Sequence, residues 1–190
     1  KKKIHVLIEK PFVLRLDQAK DLIKLSNKTK TKCWTVLQNR YNFATNKMLK
    51  TVKELGIKKI SLVDCSLFWH RSKKYYLNNW RGRYSTDGGV LTNQAIHLLD
   101  MLIYIFGEIE FFNVFAGFNK KKLEAEDLIS INFFHKNKII SSLTATTRAN
   151  RDYRSTIDVI GENGSLCGYN SSQGVSVKEK LINLECHTYS

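Results

Sequence analysis

Proline and long apolar runs are scarce in this sequence of 190 residues, in which Pro11 is the only proline. No linker rich in glycine and serine and no internal repeat divides the chain. The longest apolar run, residues 98–106, falls short of the roughly 20 residues that a transmembrane helix needs. Residues 1–3 are lysines, but the apolar stretch at residues 4–8 is too brief for a signal peptide. We therefore expect a globular protein without a membrane span.

Closely spaced cysteines are also missing. Cys33, Cys65, Cys167 and Cys186 include no CxxC pair, and such spacing is typical of zinc and redox sites. We therefore expect no metal site. Disulfides are rare in the cytoplasm, so we interpret the four thiols as buried, reduced residues of a cytoplasmic protein.

The net charge of +14 lies entirely in the first part of the chain. Residues 1–80 hold 19 Lys/Arg and 5 Asp/Glu, whereas residues 81–190 hold 12 of each. A basic half can indicate a nucleic-acid partner. Lysine, asparagine and isoleucine together number 54, however, and the codon usage of an AT-rich genome produces the same excess. Because no helix-turn-helix or RNA-binding motif occurs, we do not expect nucleic-acid binding.

Hydrophobic periodicity divides the chain into a mixed front and a strand-rich back. It predicts helices at residues 17–25, 42–55 and 90–106, and strands at residues 4–8, 33–37, 58–69, 109–116, 128–134, 139–147 and 156–160. Turn residues at 136–138 and 162–164 separate the last strands. This order predicts the tail of an α/β domain leading into an α+β domain with an open, mostly antiparallel sheet and helices on one face.

One predicted strand has an unusual composition. Residues 139–146 carry serine and threonine on both faces. Small polar side chains on a sheet face are typical of a surface that packs on another sheet or lines a cleft. An oligomer contact and an ordinary solvated face both remain open.

Two cations follow the first two predicted strands. Lys10 lies in Glu9-Lys10-Pro11 after the first strand, and Arg40 follows the second. The carboxyl ends of neighbouring strands meet at the ligand-binding edge of an α/β sheet. Two cations there favour an anionic ligand or a polarised oxygen. In a chain with 23 lysines, a solvated turn lysine is the alternative.

A further polar cluster surrounds the start of the third predicted helix. Asn93 and His97 have the i, i+4 spacing that places them on one helix face, next to Gln94. The long loop before them, residues 70–90, contains Trp80 and Arg81. These side chains suit a polyhydroxyl ligand, with histidine as an acid or base near neutral pH. A purely structural histidine is the alternative.

The ordered set of Glu9-Lys10-Pro11, Gly88-Gly89 and Asn93 with His97 resembles the glucose–fructose oxidoreductase/inositol dehydrogenase (Gfo/Idh/MocA) family over about residues 4–169. Residues 38–42, 80–82 and 87–94 resemble most closely the branch that oxidises the 3-position of UDP-N-acetylglucosaminuronate. Many members of the family have aspartate where this chain has Asn93. Since an amide takes no proton, Asn93 would only orient the substrate.

The resemblance implies an oxidoreductase that uses NAD or NADP to oxidise a secondary alcohol of a sugar or UDP-sugar. It implies a remnant of a Rossmann domain at residues 1–38 and a catalytic and oligomerisation domain at residues 39–190, assembled into dimers or tetramers through the open sheet. Lys10 and His97 would be catalytic. The remaining implied contacts are Glu9, Lys10 and Pro11 to the cofactor and Arg40, Trp80, Arg81, Asn93 and Gln94 to the substrate. Tyr153 and Arg154 would either reach the cleft or face solvent.

The family's Gly-x-Gly-x-x-Gly loop does not occur in the sequence. We therefore expect an N-terminally truncated chain that is inactive alone and binds the dinucleotide only as part of a longer protein. A non-enzymatic sugar-binding or assembly module is the alternative function.

Overall fold

The chain folds around two separate β-sheets. The computed structural model describes residues 3–77, 80–118, 123–161, 166–170 and 174–177. The smaller sheet pairs β1 (Val6–Ile8) with β2 (Cys33–Thr35) in parallel. Helix α1 (Leu16–Thr29) connects the two strands and has no buried residue. The order strand, helix, parallel strand is the crossover unit of α/β proteins.

The larger sheet contains the rest of the described strands: β3 (Ile60–Phe68), β4 (Ile109–Gly117), β5 (Leu128–His135), β6 (Ile140–Thr146), β7 (Arg154–Gly161), β8 (Leu166–Asn170) and β9 (Gly174–Val177). They lie in the order β4-β5-β6-β3-β7-β8-β9. Strands β3 and β6 are parallel, and the other neighbouring pairs are antiparallel. The predicted α+β fold with a mostly antiparallel sheet is confirmed.

Helices α2 (Phe43–Leu55) and α4 (Ile96–Phe106) supply the helical side of the core. Alternate residues of the central strands meet them, because successive side chains of a strand point to opposite faces. The core joins Met48, Leu98, Met101, Leu102 and Phe106 of the helices to Val63, Cys65, Leu143, Ile157 and Val159 of the strands.

The ends of these helices follow local chemistry. The Asn42 side chain accepts a hydrogen bond from the backbone N–H of Thr45 at 2.7 Å and so caps the start of α2. Gly56 ends α2 with a φ of +82°, a conformation that glycine adopts without steric cost. Gly107 ends α4 in the same way with a φ of +90°.

Several boundaries differ from the prediction. The predicted helix at residues 17–25 extends to Leu16–Thr29, because its polar last turn gives no apolar signal. The predicted strand at 58–69 begins at Ile60, after a 3-10 turn at Ile57–Lys59. The helix at 90–106 contains a π-helical turn, Leu91–Ala95, near its start. Within the described part of the loop at 70–90, a short helix, α3, spans Lys73–Tyr76. The turn at 162–164 lies outside the described residues.

The second face of the larger sheet carries ordered rows of side chains. Residues that pair directly across strands share a face, so the register assigns each row. One row is apolar, and the next is polar or acidic. The apolar row is Phe111, Phe134, Ile140, Leu62 and Ile160, and the polar row is Asn113, Asn132, Ser142, Asp64 and Asp158.

Two of the four cysteines have described side chains. Cys65 is a buried free thiol of β3, and Cys33 is a half-buried free thiol of β2. The side chains of Cys167 and Cys186 lie outside the described residues. Among the described helices, none combines the length and apolar character needed to cross a membrane. The same part of the chain contains no cluster of ligands that could hold a metal ion.

Candidate functional site

The Glu9-Lys10-Pro11 motif and the polar cluster at the start of the third predicted helix meet in the structure. Lys10 follows β1, and its ammonium donates to the backbone oxygen of Asn93 at 2.5 Å and to the side-chain Oδ1 at 3.3 Å. The residues that the resemblance assigns to cofactor and to substrate are therefore adjacent here. Burial lowers the pKa of Lys10, while the carboxylates of Asp87 and Glu9 oppose this shift.

The amide of Asn93 is held from two sides. Its Nδ2 donates to Oδ1 of the buried Asp87 and to the hydroxyl of Tyr75 at 3.4 Å. Asp87 also accepts the backbone N–H of Gly82 at 2.7 Å. Since Nδ2 faces a carboxylate, Oδ1 is left to accept from Lys10. Asp87 thus fixes which end of the amide faces the ammonium.

Gln94 shares a partner with Asn93. Its Nε2 donates to the Tyr75 hydroxyl at 3.0 Å. The π-helical turn Leu91–Ala95 carries both amides, and turns of this kind are frequent at functional sites. Tyr75 therefore ties α3 to the start of the following helix.

His97 lies half-buried one turn further along α4. Burial and the nearby Lys10 charge lower its pKa to about 4, against the opposing effects of Asp100 and Glu9. The imidazole is therefore neutral near pH 7. Its Nδ1 is buried and has no hydrogen-bond partner among the described residues. A neutral imidazole beside an ammonium can accept a proton from a bound hydroxyl.

Two glycines allow the chain to pass close to Glu126 before the π-helical turn. A Cβ on Gly89, whose φ is +88°, would lie 2.1 Å from the Glu126 carboxylate. That carboxylate accepts the backbone N–H of Leu91 at 3.0 Å, and burial raises its pKa. Gly88 has a φ of +76°. The Gly-Gly pair therefore serves backbone geometry, and Glu126 anchors the start of the site-bearing helix.

Arg81 and Trp80 stack beside the amides. The Arg81 guanidinium lies 3.8 Å from the centre of the Tyr75 ring and 4.8 Å from that of Trp80. Its Nε is buried and has no hydrogen-bond partner in the described part of the chain. Trp80 is 48% exposed. An unused buried donor next to an exposed aromatic ring is suited to a polar ligand.

Arg40 is committed elsewhere in this structure. Its guanidinium makes a two-pronged ion pair with Asp100, with Nε at 2.8 Å from the carboxylate, and it stacks 4.8 Å from the Tyr104 ring. Asp100 lies three residues after His97 on α4. The structure therefore ties Arg40 to the helix that carries His97, and among the described contacts it has none with Lys10. Its role with substrate stays a prediction.

The other candidate residues have these positions. Glu9 is exposed, and Pro11 is half-buried and joined to Lys10 by a cis peptide bond. Tyr153 is 59% exposed, and the guanidinium of Arg154 lies 3.6 Å from Asp158 and 3.9 Å from Asp64 on the open sheet face.

Sequence reasoning missed Tyr75, Asp87 and Glu126 as members of this site. Asp87 directly precedes the Gly-Gly pair, and a carboxylate there was the available signal. Tyr75 and Glu126 have no such signal, because they reach the site only through the path of loops.

Comparisons with known proteins identify the family of the chain. Residues 45–167 match the model of the GFO/IDH/MocA C-terminal domain. The uncharacterized protein YMR315W of Saccharomyces cerevisiae is 28% identical over 170 residues, which are 85% of this chain and 47% of that protein.

Two solved structures share both fold and sequence with the chain. The WlbA dehydrogenase of Bordetella pertussis, in complex with NADH and UDP-GlcNAcA, is 26% identical, with a TM-score of 0.83 over 95% of this chain and 53% of that one. The Chromobacterium violaceum WlbA, with the same two ligands, is 26% identical, with a TM-score of 0.82 over 99% of this chain and 54% of that one. The chain therefore spans about half the length of these relatives.

The family match covers more than half of the sequence, and the relatives solved with a nicotinamide cofactor are dehydrogenases. The chain belongs to the GFO/IDH/MocA family of oxidoreductases.

Proposed function

We propose that this chain is the substrate-binding part of an NAD- or NADP-dependent dehydrogenase that oxidises a secondary alcohol of a nucleotide sugar. One observation carries the proposal. The Lys10 ammonium is held by Asn93, and burial together with the Lys10 charge lowers the pKa of His97 so that its imidazole is neutral at pH 7. The two WlbA relatives, solved with NADH and UDP-GlcNAcA, support the substrate class.

The two side chains divide the work of alcohol oxidation. His97 accepts the hydroxyl proton, which its neutral form at pH 7 allows. Lys10 donates to the same oxygen and stabilises the negative charge that develops there. When bound, the nicotinamide supplies the hydride acceptor. Asn93 restricts the Lys10 ammonium to one position, so this stabilisation needs little reorganisation.

The remaining site residues would hold the two ligands. Trp80 and Arg81 form a stacked edge beside the amides of Asn93 and Gln94, and all four would bind the sugar. Arg40 would act by holding Asp100 on the helix that carries His97. If its pair with Asp100 breaks, Arg40 would instead pair with an anionic group of the substrate. Glu9, Lys10 and Pro11 would meet the nicotinamide end of the cofactor, since they follow a parallel strand at its carboxyl end.

The domain division is part of the proposal. Residues 1–38 would belong to the nucleotide-binding domain and residues 39–190 to the catalytic and oligomerisation domain. The segment of β1, α1 and β2 supports this, because it leaves large apolar side chains exposed that a complete domain would cover. These are Ile4, Val6, Leu7, Leu16, Ile23, Leu25 and Trp34.

We also propose that two copies pack through the open face of the larger sheet. The apolar row on that face includes Phe111, which is 61% exposed, and Ile140, which is 51% exposed. The polar row beside it would supply hydrogen bonds across the interface.

The free thiols of Cys33 and Cys65 fit a cytoplasmic enzyme.

A deuterium-transfer assay tests the activity. In the complete enzyme, a UDP-sugar labelled with deuterium at the reacting carbon should deliver the label to oxidised nicotinamide. The 190-residue chain alone should give no turnover. Lack of any transfer by the complete enzyme would refute the proposed function, and turnover by the isolated chain would refute the domain division.

A further inference from the structure

A second cavity lies one residue away from the candidate site. Its volume is about 590 Å³, and it opens beside helix α3. Tyr75 of that helix bonds the site amides, whereas the next residue, Tyr76, lines the cavity. The two rings meet edge to face at 5.0 Å. The site and the cavity therefore adjoin each other at helix α3.

Cations dominate the charged groups that line this cavity. Arg71, Lys73 and Arg148 contribute to it together with a single carboxylate, Asp127. Asp127 is buried, and Arg148 pairs with it at 2.6 Å. Arg71 has an exposed partner, Asp152, at 3.2 Å. None of the ion pairs among the described residues involves Lys73. The lining therefore keeps an excess of positive charge.

Apolar and aromatic groups complete the lining. Leu77, Leu123 and the Tyr76 ring contribute. The Tyr76 hydroxyl is fixed by Thr147 Oγ1 at 2.8 Å, so the ring has a set orientation. A cavity of this size, with cations next to apolar surface, matches a ligand that combines phosphates with a flat base.

Arg71 links the cavity to the candidate site. Its guanidinium lines the cavity and lies 5.5 Å from the centre of the Tyr75 ring, which also has the Arg81 guanidinium at 3.8 Å. An elongated ligand that passes Tyr75 would therefore meet Arg81 first and Arg71 next. An anionic group of the ligand, on the side of the sugar away from the reacting carbon, would therefore lie next to Arg71.

We propose that this second cavity binds the nucleoside diphosphate part of the substrate, with Arg71 and Lys73 on the diphosphate and Tyr76 against the base. The proposal rests on the function proposed above. It assigns the specificity for nucleotide sugars over free sugars to residues outside the reacting centre.

Calorimetric titration of the 190-residue chain with UDP tests the assignment. Lys73→Met should weaken UDP binding about tenfold, because it removes a charge-assisted contact. Arg71→Gln should do the same. Lys58→Met is the matched control: Lys58 is exposed and precedes β3, while the cavity lies beyond the other end of that strand. Its UDP affinity should match that of the unmodified chain.

Two further titrations separate the possible sources of a diphosphate. Uridine should bind at least about tenfold more weakly than UDP, and NAD⁺ should not displace UDP. Displacement by NAD⁺ would overturn the assignment to substrate, and equal losses in Lys73→Met and Lys58→Met would overturn the assignment to this cavity.

The outcome is independent of catalysis. His97→Asn should leave UDP affinity unchanged, since His97 does not line the cavity. A complete enzyme that oxidises the sugar while the chain fails to bind UDP would overturn the cavity assignment alone. UDP binding as expected in an enzyme without dehydrogenase activity would uphold the cavity and refute the proposed function.

Discussion

Lys10 and Asn93 are separated by 83 residues, yet the Lys10 ammonium donates to both the backbone oxygen and the side-chain oxygen of Asn93. This contact joins the small parallel sheet to the start of helix α4 at the point where His97 follows. It also restricts the ammonium, because two acceptors of one residue fix its position. Behind it, Asp87 orients the Asn93 amide.

Asp87→Asn should lower the free energy of unfolding, because Asp87 holds the Asn93 amide and the Gly82 backbone N–H of the candidate site. The substitution places an amide opposite the Asn93 amide and reduces the acceptors offered to buried N–H groups. We expect a loss of about 1–3 kcal/mol in the free energy of unfolding, because a buried donor loses its partner. Urea denaturation measures it. Glu54→Gln is the control, since its pair with Lys50 is exposed, and it should cost well under about 1 kcal/mol. Equal effects would contradict the role of Asp87.

Gly89→Ala should destabilise the protein more than Gly56→Ala. Both glycines have a positive φ, so both substitutions carry a backbone cost of about 1–3 kcal/mol. A Cβ at Gly89 also meets the Glu126 carboxylate at 2.1 Å, whereas a Cβ at Gly56 meets nothing within 4 Å. Thermal unfolding of the two variants isolates the difference. Equal shifts in Tm would show that the close approach to Glu126 is unimportant.

The stability of the chain should depend on pH through His97. Its pKa in the folded state is about 4, below the ordinary histidine value of 6.5, so the unfolded state binds more protons between these values. The stabilisation is complete above about pH 6.5 and is lost as the pH falls towards 4. His97→Gln should therefore lose less stability than the unmodified chain between pH 7 and about pH 4.5. Urea midpoints at both pH values measure this, and parallel losses would contradict the low pKa.

Two neighbouring phenylalanines test the proposed interface. Phe111 belongs to the apolar row of the open face, while Phe112 points to the other face of β4, and their exposures are 61% and 64%. Phe111→Lys should shift the assembly towards monomer, because it places a charge in the interface. Phe112→Lys should leave the molar mass by light scattering unchanged. Identical behaviour of the two variants would refute packing through this face.

Strand ends and helix spacing were enough to select some residues of the candidate site from sequence, and their roles stay predictions. Lys10 was recognisable because it follows an apolar strand, and Asn93 and His97 because they are four residues apart. The fold class followed from apolar periodicity, which records burial directly. Tyr75 and Glu126 could not be found this way, since their positions depend on how irregular loops cross in space.

Arg40 illustrates a different limit. Its place after a strand end indicated convergence with Lys10, but Asp100 on α4 takes its guanidinium. Periodicity assigns faces to elements and does not select the partner of a charge 60 residues away. The π-helical turn likewise has no periodic signal, because it changes the hydrogen-bond register of the backbone while the apolar pattern continues.

The most direct test of the central claim is the turnover of Lys10→Met and His97→Asn in the complete enzyme with a UDP-sugar and oxidised nicotinamide. Each variant should lower kcat by about 100-fold to 10,000-fold, because each removes proton transfer or charge stabilisation from the reacting oxygen. UDP affinity, measured in parallel, should stay unchanged in His97→Asn. Near-normal kcat values in both variants would contradict the assignment of the catalytic centre.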